Sequence, residues 1–249
     1  MLLVSEVAGL IPVAVYVALS GASAPDWVHV WPAAAGGAAG VVALAAFYRA
    51  LAIGTMSIVA PISATGAIVP LVVGISEGDH PGALRLAGIA TALLGVVLAA
   101  RELQADERPR GSGARVSVAL ALVAALGFGL FFVGLRSASS ASVPWAILVA
   151  RASAVPLVAL AAIGSRAPLR PAAAVLPALA VVGILDVSAN GLYALATRHG
   201  LLSVVSVLGS LYPVTTVLLA RFVLRERVGR TQEAGIVTVL AGVALIAAG

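Results

Sequence analysis

Three polar side chains inside one apolar stretch are the first candidates for chemistry. Asp186, Asn190 and Tyr193 stand in LPALAVVGILDVSANGLYALA at spacings i, i+4 and i+7, which place them on one face of a helix. A carboxylate there is either a solute ligand or proton-carrying group, or a hydrogen-bond anchor between helices. Arg151, in VPWAILVARASAVPLVAL, either pairs with Asp186, binds an anionic part of a solute, or snorkels to an interface from within two turns of its helix start. Glu6 is an interior candidate if a further helix precedes it, and an interfacial end otherwise. A later stretch carries two small-polar rows, Ser203, Ser206 and Ser210, and Gly209, Tyr212 and Thr216. Ser206, Tyr212 and Thr216 are candidate solute contacts, although hydroxyls and glycine serve first as glue between membrane helices.

Enzyme chemistry finds no support. The sequence has no H-E-x-x-H, no G-x-S-x-G and no phosphate-cradling G-x-x-x-x-G-K-[ST]. His29, His80 and His199 lie far apart, so no metal site and no cofactor is expected. There is no cysteine, which excludes disulfides and thiolate ligands. All fifteen basic residues are arginine, which reads first as a nucleotide-composition bias, and none forms the aromatic-interleaved stripe that nucleic-acid binding requires.

These side chains have to be positioned by elements that live in lipid. Apolar residues make up 61% of the 249-residue chain and charged ones 10%, too few to cover a water-facing surface. Nine stretches meet the length of about 20 apolar residues that a span needs: 2–20, 30–48, 56–76, 84–100, 116–135, 143–163, 172–195, 201–222 and 232–248. The gaps hold the charges, and the longest, RELQADERPRGSGAR over 101–115, divides the chain into halves. Residues 1–5 lack the basic start of a cleaved signal peptide. Pro61, Pro70 and Pro213 predict kinks, and Trp27, Trp31 and Trp145 fit interfacial belts.

The halves repeat. AGIATALLGVVLAA (87–100) and AGIVTVLAGVALIA (234–247) share nine identities in fourteen positions. Tyr48, Gly54 and Ser57-Ile58-Val59 recur as Tyr193, Gly200 and Ser203-Val204-Val205, and the Pro12 helix lies over the Pro156 helix. Spans one to four match spans six to nine, leaving the fifth without a counterpart. The unit is therefore five helices, with the first helix of the first copy absent through a late start or a true loss. Five crossings per copy force consecutive copies to face opposite ways, the inverted arrangement of many secondary transporters. The expected fold is an all-α polytopic membrane bundle of two inverted five-helix repeats, over 1–103 and 116–249.

The segment LLSVVSVLGSLYPVTTVLLARFVLRERVGRTQEAGIVTVLAGVALIAAG resembles the closing pattern of the EamA family of the drug/metabolite transporter superfamily. The elements are Leu211-Tyr212-Pro213-Val214, the loop Glu226, and Gly235 with Gly242. A looser counterpart in the first copy carries Glu77, Gly88 and Gly95. The resemblance implies a ten-helix transporter of amino acids, metabolites or drugs in the cytoplasmic membrane. Its partners would be a small solute, the lipid bilayer and possible homodimer mates, not nucleic acid. The other reading is a non-transporting partner subunit or truncated paralogue. Counting Arg85 and Arg221 at span ends with their neighbouring loops, eleven arginines belong to the loops after even-numbered spans and three to those after odd-numbered ones. The positive-inside rule then places the C-terminus outside, opposite to the family's usual layout.

Overall fold

The computed structural model describes residues 2–54, 56–99, 112–164, 172–211 and 229–249, together with 214, 218 and 222. Among these, every regular element is a helix. A bilayer core offers no water to backbone N–H and C=O groups, so each span must satisfy its own, and helices do this. In chain order they are α1 (Leu2–Ser20), α2 (Trp27–Ile53), α3 (Met56–Ala64), a 3-10 turn (Thr65–Ala67) and α4 (Ile68–Ser76). Then come α5 (Ala83–Ala99), α6 (Ser112–Ser139), α7 (Val143–Gly164), a second 3-10 turn (Ala173–Val175), α8 (Leu176–His199), α9 (Leu202–Gly209) and α10 (Arg230–Ala248). Among the described residues, seven stretches are long and apolar enough to cross a membrane, with Ile58–Ser76 counted as one, and α5 is a shorter apolar helix. The chain is thus a polytopic helical membrane bundle, as its composition predicts, with α2 and α6 longer than the apolar pattern alone indicates.

The helices gather into two compact units, Met1–Val41 with Leu130–His199, and Val42–Gly129 with Gly200–Gly249; the division falls inside α2 and inside α6. Without a hydrophobic force between helices in lipid, close packing has to come from small residues. In the first unit, α1 packs on both α7 and α8. Gly9 lies so close to α8 that a Cβ would stand 2.8 Å from the Gly183 carbonyl oxygen. Gly37 of α2 abuts Ala150 and Ser153 of α7, and Gly134 of α6 abuts Pro32 and Gly36 of α2.

In the second unit, α5 and α10 form an antiparallel pair. A Cβ on Gly88 would meet the Gly242 carbonyl at 2.8 Å, and one on Gly95 the Gly235 carbonyl at 2.9 Å. Val96, Ala99 and Val239 pack with Ala64 and Val214 on one side of this pair, and Ile89, Ala92 and Ile246 with Val207 on the other. The third span is broken where Pro70 predicts, while Pro61 lies inside the unbroken α3. Pro70 has no N–H to give the Gly66 carbonyl four residues back, and the 3-10 turn at Thr65–Ala67 sits at that gap. The loop after α4 is set by Gly78, whose φ of 105° favours glycine. Asp79 N–H donates to Gly74 O at 2.8 Å and Gly78 N–H to Ile75 O at 3.2 Å, a Schellman ending that turns Asp79 toward α9.

Candidate functional site

Three helices of the first unit bring their only deeply placed charges together. On α1 that charge is Glu6, on α7 Arg151 and on α8 Asp186. Arg151 Nη1 donates to Glu6 Oε2 at 2.5 Å, and Nη2 donates to Asp186 Oδ2. The planar guanidinium fork suits this task, because its two amino groups point to separate acceptors. The Arg151 and Glu6 side chains are only 8% and 10% exposed, whereas that of Asp186 is 54% exposed. Glu6 and Arg151 therefore form a closed pair, and Asp186 is the open member of the triad.

The local sequence explains the meeting. Glu6 and Gly9 are one turn apart on α1, as are Gly183 and Asp186 on α8. The Gly9–Gly183 contact draws the two backbones together, so the carboxylates flank one point that Arg151 reaches from α7. A Cβ on Gly183 would collide with the Ser5 carbonyl, so neither helix could otherwise approach so closely.

The other expected residues are distributed differently. Tyr193 is buried, with its ring 4.5 Å from that of Phe132 at a tilt of 44°. Asn190 is half-buried one turn beyond Asp186, so the predicted polar row runs from an open end at Asp186 to a packed end at Tyr193. Ser206, in the second unit, donates its hydroxyl to the Leu202 carbonyl at 2.7 Å, and Ser210 donates to Val207 at 2.8 Å. Those hydroxyls are engaged by their own helix, the packing role that their row suggests. Tyr212 and Thr216 lie outside the described residues, as do Pro213 and Glu226. Trp27 and Trp31 are exposed in the first turns of α2, and Trp145 Nε1 donates to the Ala22 carbonyl at 3.3 Å. Among the described residues, no group of three His, Cys, Asp or Glu side chains could hold a metal ion.

Two partnerships lie beyond the reach of sequence reasoning. One is Glu6 with Arg151, 145 positions apart. The other is Asp79, whose Oδ2 accepts the Ser203 N–H at 2.8 Å across 124 positions. The glycines one turn from each acid of the triad were the available signal for the first.

A bundle of long apolar helices, each able to satisfy its own backbone in lipid, defines a multi-pass membrane protein. The EamA-like transporter family matches residues 115–248, more than half of the chain. The chain belongs to the EamA-like transporter family. No curated protein matches it. Among 25 solved chains of similar fold is a crystal structure described only as that of a protein. It is similar over 99% of this chain and 88% of that one, with a TM-score of 0.81 and 17% identity, which bears on the fold alone.

Proposed function

We propose that the protein is a secondary transporter that moves a small metabolite, amino acid or drug-like solute across the cytoplasmic membrane by alternating access. The observation that carries this reading is the Glu6–Arg151–Asp186 triad. Charges inside a span are costly, and those that persist mark solute or ion pathways. Asp186, open on one side and tied to a buried arginine on the other, is the group assigned to meet the solute; Asn190 lies one turn away.

We further infer that the chain is built from two inverted repeats, over 1–103 and 116–249. The reciprocal pairing of α5 with α10 supports this. Gly88 corresponds to Gly235 in the repeat, and Gly95 to Gly242. The contacts run from Gly88 to Gly242 and from Gly95 to Gly235, so exchanging the copies reproduces them. An antiparallel, self-matching pair is what a two-fold axis in the membrane plane requires.

The test is reconstitution into liposomes with an imposed ion gradient and a panel of amino acids, nucleosides and cationic and neutral drugs. At least one solute is expected to move faster than in protein-free vesicles, with Asp186→Asn reducing the rate at least tenfold. Movement of nothing across the panel by a folded, monodisperse sample overturns the reading.

A further inference from the structure

We propose that Phe132 sets the size of the solute. Its ring closes the inner end of the polar row on α8. The site then takes a solute with a hydrogen-bonding head at Asp186 and Asn190 and an apolar group no larger than a single ring against Phe132. This rests on the transport reading above and adds to it a limit on the solute's apolar part.

The row changes character along α8. The Asp186 side chain is 54% exposed, Asn190 one turn on is half-buried, and Tyr193 is buried. The ring of Phe132, from α6, lies against Tyr193 with centroids 4.5 Å apart. Phe132 itself is half-buried, so part of its surface is left for contact. Its neighbour fixes its place. Adjacent residues on a helix point about 100° apart, so Phe131 turns to α2 while Phe132 turns to α8. Phe131 sits in the room left by two glycines. A Cβ on Gly36 would lie 3.1 Å from the Phe131 carbonyl oxygen, and one on Gly40 3.3 Å from its ring. The two phenylalanine rings stand 5.3 Å apart at 63°, so a shift of Phe132 has to carry Phe131 with it. All of these residues belong to the first unit.

Length along the helix turns this into a size. Asp186 and Tyr193 are separated by about 10 Å along the axis of α8, at 1.5 Å per residue. A head group bonded to Asp186 and Asn190 spans the first turn of that length, and the Asn190 amide can both donate to it and accept from it. One turn of about 5 Å is left before the aromatic pair. A phenyl ring or a short branched chain fills it, and a set of fused rings overruns it. The wall at this end is aromatic, and rings prefer tilted contact with rings, so a ring-bearing solute should gain roughly two- to tenfold over an aliphatic one of the same length.

The chain has no cysteine, so a single introduced thiol is unique. Asn190→Cys in the full chain, held in nanodiscs, is treated with three neutral reagents of rising size: methyl, benzyl and pyrenylmethyl methanethiosulfonate. Benzyl is expected to react nearly as fast as methyl, and pyrenylmethyl at least tenfold more slowly than benzyl. Phe132→Ala should remove the second difference, and Phe132→Trp should slow benzyl at least tenfold as well. Leu192→Cys, exposed on the same helix and outside the row, is the control, and its ratios should not respond to residue 132. Ratios at position 190 that stay the same with Phe, Ala and Trp at position 132 overturn the proposal. Equal changes at positions 190 and 192 also overturn it, because they report a loosened bundle. Should Phe132→Ala fail to fold, Phe132→Leu takes its place with the same expected direction. In liposomes the limit should appear as selectivity. Phe132→Ala should raise the kcat/KM of tryptophan relative to alanine at least tenfold, or that of the larger relative to the smaller of any two solutes that move. An unchanged ratio in a transporting protein overturns this inference and leaves the transport reading standing. Movement of no solute overturns that reading, and the thiol rates then still decide whether Phe132 closes the row.

Discussion

Glu6 and Arg151 share a 2.5 Å charge-assisted hydrogen bond in which neither side chain is more than 10% exposed. The bond joins α1 to α7 across 145 positions of sequence, and its third partner, Asp186, is largely open. This asymmetry sets an order of consequences. Removing Arg151 strands two carboxylates, one of them buried. Arg151→Met should therefore lower stability by about 3–5 kcal/mol, the usual loss when one member of a buried pair is removed. Asp186→Asn should cost less, since more than half of the Asp186 side chain is open and the amide oxygen of Asn can still accept from Arg151. Tryptophan-monitored thermal denaturation in detergent reads the order Arg151→Met, Glu6→Gln, Asp186→Asn; equal losses for the two acids would contradict the closed-pair geometry.

The antiparallel pair of α5 and α10 depends on absent side chains. A Cβ on Gly88 meets backbone at 2.8 Å from both Gly242 O and Ile246 N, and backbone cannot swing aside as a side chain can. Gly88→Leu should separate the helices and expose the apolar surface that Ile89, Ala92, Val207 and Ile246 now share. We expect a loss of about 1–3 kcal/mol, in the range of overpacked cores. Leu94 is exposed on α5, so Leu94→Ala serves as the control with little change. A Gly88→Leu protein as stable as the wild type would mean that the pair is not close-packed.

Gly183 links packing to the site. It supports no charge itself, but the collision of any Cβ with the Ser5 carbonyl would push α1 away from α8. Gly183→Val should therefore weaken the pairing of Arg151 with both acids at once. In double-mutant cycles, the coupling between Glu6 and Arg151 should fall by about half from an initial value of ~1–3 kcal/mol. Unchanged coupling in a Gly183→Val background would separate the glycine contact from the assembly of the triad.

Much of the bundle is legible in the sequence because lipid imposes a single-residue rule: a span is apolar throughout, and α1, α7 and α8 announce themselves in that way. The charges inside them, Glu6, Arg151 and Asp186, are equally visible, since each interrupts an apolar run. The pairing of Arg151 with Asp186 is among the readings the sequence offers, but the pairing of Glu6 with Arg151 is not. It depends on α1 lying against both α7 and α8, a tertiary fact with no periodicity of its own, and Glu6 read alone is as compatible with a frayed interfacial end. Helical spacing places Asp186, Asn190 and Tyr193 on one face, but spacing cannot say that Tyr193 is buried on Phe132 while Asp186 stays open. Proline gives a better local signal: the missing N–H of Pro70 acts on Gly66, and the 3-10 turn appears there.

Asp79 shows a charge whose role is structural and separable from the triad. The first residue of α9 follows Leu201, which has no side chain able to cap the helix. The buried N–H of Ser203, in the first turn, is instead met by Asp79 Oδ2 at 2.8 Å, delivered from the loop after α4 by the Schellman turn at Gly78. A carboxylate here both accepts a hydrogen bond and meets the positive end of the helix dipole. Asp79→Ala should cost about 1 kcal/mol, as loss of a cap does. Asp79→Asn, which keeps an acceptor and loses the charge, should cost roughly half as much. Gly74→Ala offers a test that leaves Asp79 in place. Its Cβ would stand 2.6 Å from Asp79 Oδ2 and 2.9 Å from Ser203 N, so it should displace the carboxylate and reproduce the Asp79→Ala loss. Hydrogen exchange at the Ser203 amide localises the effect: it should accelerate in Asp79→Ala and Gly74→Ala and stay slow in Asp186→Asn. Acceleration in none of them would show that the first turn of α9 is held by something other than Asp79.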